Sequence, residues 1–217
     1  MPTSSRRDHL VDTASNLFAR DGFRAVGIER ILHESGVAKM TLYKHFRSKD
    51  DLIVAVLRQV DDRCRRAIVE GSADPAFSPR ERVLSIFDVL HAWLAASSFR
   101  GCMFAQACAE YPDDASAVRR AALEHKRFVR DHVVGLLLDA GITNPGPLAD
   151  QLMMLFEGAT VLSSLHKSAA PARDARSTAD RLLVGAGMGS GVAQRRAAEA
   201  PAPAAPPAPA RTPSPSH

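Results

Sequence analysis

Apolar residues recur along most of this chain three and four positions apart, the spacing of helices that bury one face. Leu10, Ala14, Leu17 and Phe18, flanked by Val11, predict a first helix capped by Thr3, Ser4 or Ser5 and ending near Gly22. Ile28, Ile31 and Leu32 mark a second, short helix that stops at Gly36, where Val37 packs inward as the chain turns into a third. In that third helix Leu42 and Phe46 share a face and should be buried. Ser48 and Asp51 form a capping signal for a fourth helix from Leu52 to about Glu70, with Val56, Leu57, Val60, Cys64, Ala67 and Ile68 inward and Gly71 as its stop. Ser78, Pro79 and Glu81 open a fifth, whose ridge is Val83, Leu84, Phe87, Leu90 and Leu94. A break at Gly101 precedes a short sixth helix that turns Cys102, Met103, Phe104 and Ala107 inward and ends at Pro112. Asp113 or Asp114 can cap a long seventh, Ala115 to Ala140, with Val118, Leu123, Phe128, Val129, Val133, Leu136 and Leu137 as its apolar face. An eighth runs from Leu148 to about Lys167 and a ninth from about Ala172 to Val184. The expected fold is therefore all-α.

The eighth helix looks too apolar for one whole side to face water, and Gly158 and Ala159 are small enough for another helix to approach closely there. An internal packing contact would account for that pair equally well.

The third helix carries the most specific chemistry. Lys39, Thr41, Tyr43, Lys44 and His45 fall on its open side, Arg47 and Lys49 follow it, and no acid lies between Ser35 and Lys49. Cations, a hydroxyl and a phenol suit phosphates and base edges, though a solvated basic face has the same composition. Two short helices joined by a Gly-containing turn make a helix-turn-helix unit. Arg6 and Arg7 open the first helix at the dipole end that disfavours cations, so they suit either an external anion such as a DNA phosphate or a mobile arm.

Leu17-Phe18, Gly22, Ile28 to Ile31, Gly36-Val37, Thr41 to Phe46 and Ser48 to Leu52 resemble the tetracycline-repressor (TetR) family at fixed offsets over about the first sixty positions. The resemblance implies an all-helical homodimeric transcription regulator, usually a repressor, that leaves a palindromic double-stranded DNA operator when a small molecule binds its C-terminal domain. It also implies that the last two helices pair with their mates in a second subunit. Two positions depart from the pattern: Gly27 or Val26 stands where Thr is common, and Met40 where a small residue is common. Met40 can meet a thymine methyl or pack under Tyr43, which leaves base preference open. The DNA-contacting set expected is Lys39, Met40, Thr41, Tyr43, Lys44, His45, Arg47 and Lys49.

The expected division is an arm at 1–5, a DNA-binding head at 6–66, a helical ligand-binding and dimerisation domain at 67–187, and a disordered Ala/Pro-rich tail at 188–217. The formal charge of +4 permits nucleic-acid binding without requiring it. No apolar run predicts a membrane span or a secretory signal, so a cytoplasmic location is expected. Cys64, Cys102 and Cys108 read as thiols in a reducing compartment and are too few for a structural zinc. No nucleophile, base and orienting group can be nominated together, so neither an enzyme nor a cofactor is expected. Asp88 and His91 could form half of a di-metal site, but the matching half is missing.

If the family's pocket is present, its walls are expected from Phe87, His91, Trp93, Cys102, Met103, Phe104, Phe128, Met153, Met154 and Phe156, with His91 and His125 as polar contacts. Such walls favour an apolar or aromatic effector. The alternative reading is a helical small-molecule-binding protein whose head contacts protein instead of DNA.

Overall fold

The computed structural model describes residues 6–189, and among them the elements are nine helices with no strand. In chain order they are α1 Arg6–Asp21, α2 Ile28–Ser35, α3 Lys39–His45, α4 Lys49–Ser72, α5 Pro79–Ala95, α6 Met103–Glu110, α7 Ala117–Asp139, α8 Gly146–His166 and α9 Ala170–Gly185. None is long and apolar enough to cross a membrane.

Local chemistry sets most of these boundaries. Gly36 ends α2 in the left-handed conformation, φ 64°, and its N–H bonds to the Leu32 carbonyl. Ser48 Oγ accepts the Asp51 N–H at 3.1 Å and so caps α4, while the Asp51 carboxylate accepts the N–H of Arg47, the residue before the cap, at 3.1 Å. Ser78 and Glu81 complete a capping box on α5.

Three expectations are corrected. Gly71 does not stop α4, which continues to Ser72, because the side chain missing from Gly71 is what lets α5 pack closely: a Cβ there would lie 2.6 Å from Val89 Cγ2. The cap of α7 is Ser116, whose Oγ accepts from the Arg119 N–H; Asp113 and Asp114 precede it in a turn. Met188, expected in the tail, is buried against the C-terminal core and its N–H bonds to the Leu183 carbonyl. The arm at 1–5 and the tail from residue 190 onward lie outside the described residues.

Two apolar cores hold the chain. The first joins the buried faces of α1 to α4 with Phe104 and Ala107 of α6 and Val118, Ala121 and Ala122 of α7. The second joins Ile68, α5, the later half of α7, α8 and α9. The head therefore does not close its core by itself, and a division at residue 66 crosses one continuous packed region. Because α4 contributes to both cores, a shift of its middle must disturb packing on both sides.

Candidate functional site

The head presents α3 by burying Leu42 and Phe46 beneath it. Met40, Tyr43, Lys44, His45 and Arg47 are exposed, and Thr41 is half-buried. Arg7 sits over the Phe46 ring, 5.5 Å from its centroid, which brings the start of α1 beside the end of α3. Two of the expected cations have partners from elsewhere in the head. Lys39 Nζ lies 2.7 Å from Glu29 Oε1 of α2, which raises the lysine pKa. Lys49 Nζ donates to the Arg24 carbonyl at 3.3 Å, and partial burial lowers its pKa. The acid-free stretch in sequence is thus not acid-free in space, since α2 lays Glu29 alongside it.

A cavity of about 420 Å³ opens among α4, α5, α6, α7 and α8. Its apolar lining includes Ile68, Trp93, Phe99, Met103, Phe104 and Phe156. Polar groups reach it from Arg100, His125, Lys126 and Thr160. His125 is 6% exposed, stacks on Phe104 with ring centroids 3.7 Å apart, and its Nδ1 lies 2.7 Å from Asp61 Oδ1. Burial pushes the His125 pKa down, against the pull of Asp61, so the imidazole is a neutral N–H donor to that carboxylate. Lys126 Nζ lies 2.6 Å from Glu157 and 3.4 Å from Cys102 Sγ. Burial acts to lower the Lys126 pKa, but Cys102 and Glu157 outweigh it and the pKa is raised. Burial pushes the Cys64 thiol up to about 11.

Of the expected pocket residues, Trp93, Cys102, Met103, Phe104 and Phe156 line this cavity, whereas Phe87, His91, Phe128 and Met153 do not. Phe87 and His91 share the face of α5 turned to α9, where they border a groove with Ala172 and Arg176; Val89 and Trp93 occupy the cavity face. Phe128 lies under the Arg65 guanidinium, 4.1 Å from the ring centroid. Met153 packs against the second core, and Met154 is 66% exposed on the outer side of α8. Asp88 pairs with Arg176 at 2.7 Å instead of adjoining a metal ligand set.

The far end of α6 grips the head. Glu110 carboxylate oxygens accept the backbone N–H groups of Phe23 and Arg24 at 3.1 and 2.6 Å, and Tyr111 OH donates to Asp50 at 3.4 Å. One eight-residue helix therefore lines the cavity with its first turn and holds the α1–α2 turn with its last. Sequence reading missed Glu110, Lys126, Val89 and Phe99. Only Val89, four before Trp93, carried a periodic signal.

An all-helical chain that sets a helix-turn-helix head on a helical bundle is the build of a DNA-binding protein. Residues 10–56 match the family of bacterial regulatory proteins called tetR, and residues 79–179 match the tetracyclin repressor-like C-terminal domain. A TetR-family transcriptional regulator of Streptomyces coelicolor, SCO4454, is similar over 83% of this chain and 93% of its own, at 32% identity and a TM-score of 0.74. A regulator of the same kind from Streptomyces avermitilis is similar over 84% and 98%, at 30% identity and a TM-score of 0.73. The transcriptional activator FasR of Mycolicibacterium smegmatis is 43% identical over 93 residues, 42% of this chain and 42% of FasR. The repressor KstR2 of the same organism is 33% identical over 88 residues, 39% of this chain and 40% of its own. These matches thus span about two-fifths of the length of either curated relative. The chain belongs to the TetR family of DNA-binding transcriptional regulators, which are not enzymes. Regulators of this family bind DNA operators as dimers.

Proposed function

We propose that this chain is a cytoplasmic repressor, homodimeric through α8 and α9, that leaves a roughly palindromic operator when a small, mostly apolar effector enters the cavity. Two α3 helices, one per subunit, would enter successive major grooves about 34 to 36 Å apart. Met40, Thr41, Tyr43 and His45 are assigned to the groove, and Lys44, Arg47 and Lys49 to phosphates; Lys39 can join them only by leaving Glu29. The observation that carries the reading is the placement of α6, with Met103 and Phe104 on the cavity and Glu110 on the head. An effector that prefers a shifted α6 must lower DNA affinity by the factor by which DNA lowers its own.

The test uses the sole tryptophan, Trp93, which lines the cavity. Candidate apolar compounds are titrated against Trp93 fluorescence, and the same compounds against anisotropy of a duplex taken from upstream of the coding sequence, at two salt concentrations. A compound that changes both signals over one concentration range is the expected result. The repressor reading is abandoned if a random duplex competes as well as the upstream duplex, or if compounds that quench Trp93 leave the DNA complex intact.

A further inference from the structure

Met40 stands apart among the large apolar side chains of the molecule. It is 82% exposed, more than any other large hydrophobic residue among the described ones, and it occupies the second position of α3. The anchors of α3 are Leu42, fully buried, and Phe46, 4% exposed, and that degree of exposure excludes the packing under Tyr43 that the sequence left open.

The surroundings of Met40 narrow what it can recognise. Its neighbour Lys39 is paired with Glu29 of α2 at 2.7 Å, so that ammonium already has a carboxylate partner. Met40, Thr41, Tyr43 and Lys44 together line a shallow concavity on the outer side of α3. The wall that Met40 and Tyr43 contribute, four carbon and sulfur atoms and a ring, offers dispersion contact and no strong donor except the phenol. In the major groove only one base carries an apolar substituent, the 5-methyl group of thymine.

We propose that the Met40–Tyr43 concavity is a specificity site that seats a thymine methyl in each half of the operator. The proposal rests on the operator-binding reading and adds to it the identity of one base and the atom by which it is read. A thioether cannot read the O4 acceptor of thymine, so the discrimination comes from burying the methyl group. One methyl group is worth roughly a four-fold change in affinity per half-site and on the order of fifteen-fold for a symmetric site.

The test begins with selection of binding sites from a random duplex pool by the full chain. Each thymine of the selected site is then replaced by deoxyuridine, which removes the methyl and leaves every hydrogen-bonding group in place. The expected result is one symmetry-related thymine pair at which deoxyuridine weakens binding by about that factor for the wild-type chain and has no effect for Met40→Ala. So exposed a side chain can be truncated without loss of the fold, which thermal melting of the variant verifies. The proposal is overturned if no thymine responds to loss of its methyl, or if the responding pair responds equally in Met40→Ala; operator binding itself then still stands. A selection that enriches no site at all overturns both.

Discussion

Glu110 and Arg24 hold each other from both directions: the Glu110 carboxylate accepts the Arg24 backbone N–H at 2.6 Å, and Arg24 Nε returns a bond to the Glu110 carbonyl at 2.8 Å. Arg24 also lies over the Tyr111 ring, 5.6 Å from its centroid. These bonds join residues more than eighty positions apart in sequence, and they are the polar complement to the core shared by α1, α4, α6 and α7.

Glu110→Ala should therefore loosen the α1–α2 turn without unfolding the body. Removing the shared acceptor leaves two backbone donors to water, that of Phe23 part-buried and that of Arg24 exposed, a loss of about 1 to 2 kcal/mol. Hydrogen exchange at the Phe23 and Arg24 amides should accelerate while exchange in α9 stays unchanged. Unchanged protection at those two amides would show that the apolar core alone holds the turn.

At Gly71 the second prediction sets two effects against each other. Alanine gains up to about 1 kcal/mol over glycine in a helix interior, and less at Gly71, one residue from the end of α4. Here its methyl would stand 2.6 Å from Val89 Cγ2, a short β-branched side chain with little freedom to move aside. Overpacking of this kind costs about 1 to 3 kcal/mol and should win, so Gly71→Ala lowers the melting temperature. Adding Val89→Ala should recover part of that loss, and a double variant no more stable than Gly71→Ala would refute the steric account.

Gly71 also shows where the sequence misleads. In one dimension a glycine near the end of an apolar stripe reads as a stop, and whether it instead admits a neighbouring helix depends on α5, whose position no local pattern states. Gly36, Ser48 and Ser78 were legible because each acts on groups within four residues of itself. The same distinction governs the site. Exposure of Tyr43, Lys44 and His45 followed from burial of Leu42, one helix face determining the other, whereas the sequence left Met40 open between the groove and packing under Tyr43. The Lys39–Glu29 pair, the Glu110 clamp and the choice between Phe87 and Val89 for the cavity depend on which helices meet, which periodicity leaves open.

Stability should fall in mild acid through two histidines. Burial lowers the pKa of His125 and of His132, each from an ordinary value of 6.5. A histidine whose folded pKa is depressed takes up its proton more readily in the unfolded chain, so its contribution is complete above 6.5. It is lost progressively as pH falls through the depressed folded value. Thermal melting across that range should show the decline, and His125→Gln, which cannot titrate, should flatten it relative to its own value at neutral pH. An equal slope in the variant would assign the acid sensitivity to His132, held by Ser72 at 2.9 Å, or to other groups.

The outer side of α8 makes the last prediction. Met154, Val161, Leu162 and Leu165 are 66, 55, 44 and 70% exposed, and Gly158 lies on the same side with open space where its side chain would be. Val184 of α9 is 49% exposed. Residues 154, 158, 161 and 165 follow the helical period, so they form one stripe, and a smooth apolar stripe with a glycine at its middle suits close approach of a second helix. The inner side of α8 is already committed to the second core through Leu152, Ala159 and Ser163, so this outer stripe is available to a partner subunit. Val161→Glu should then convert the dimer to a monomer in sedimentation velocity, because an unpaired carboxylate at the centre of an apolar contact costs far more than the surface it replaces. The fold should survive, since residue 161 is exposed in the single chain. Operator affinity should drop sharply as the two α3 helices cease to be linked. A Val161→Glu protein that remained a dimer would exclude this stripe as the interface and leave α9 to supply it alone.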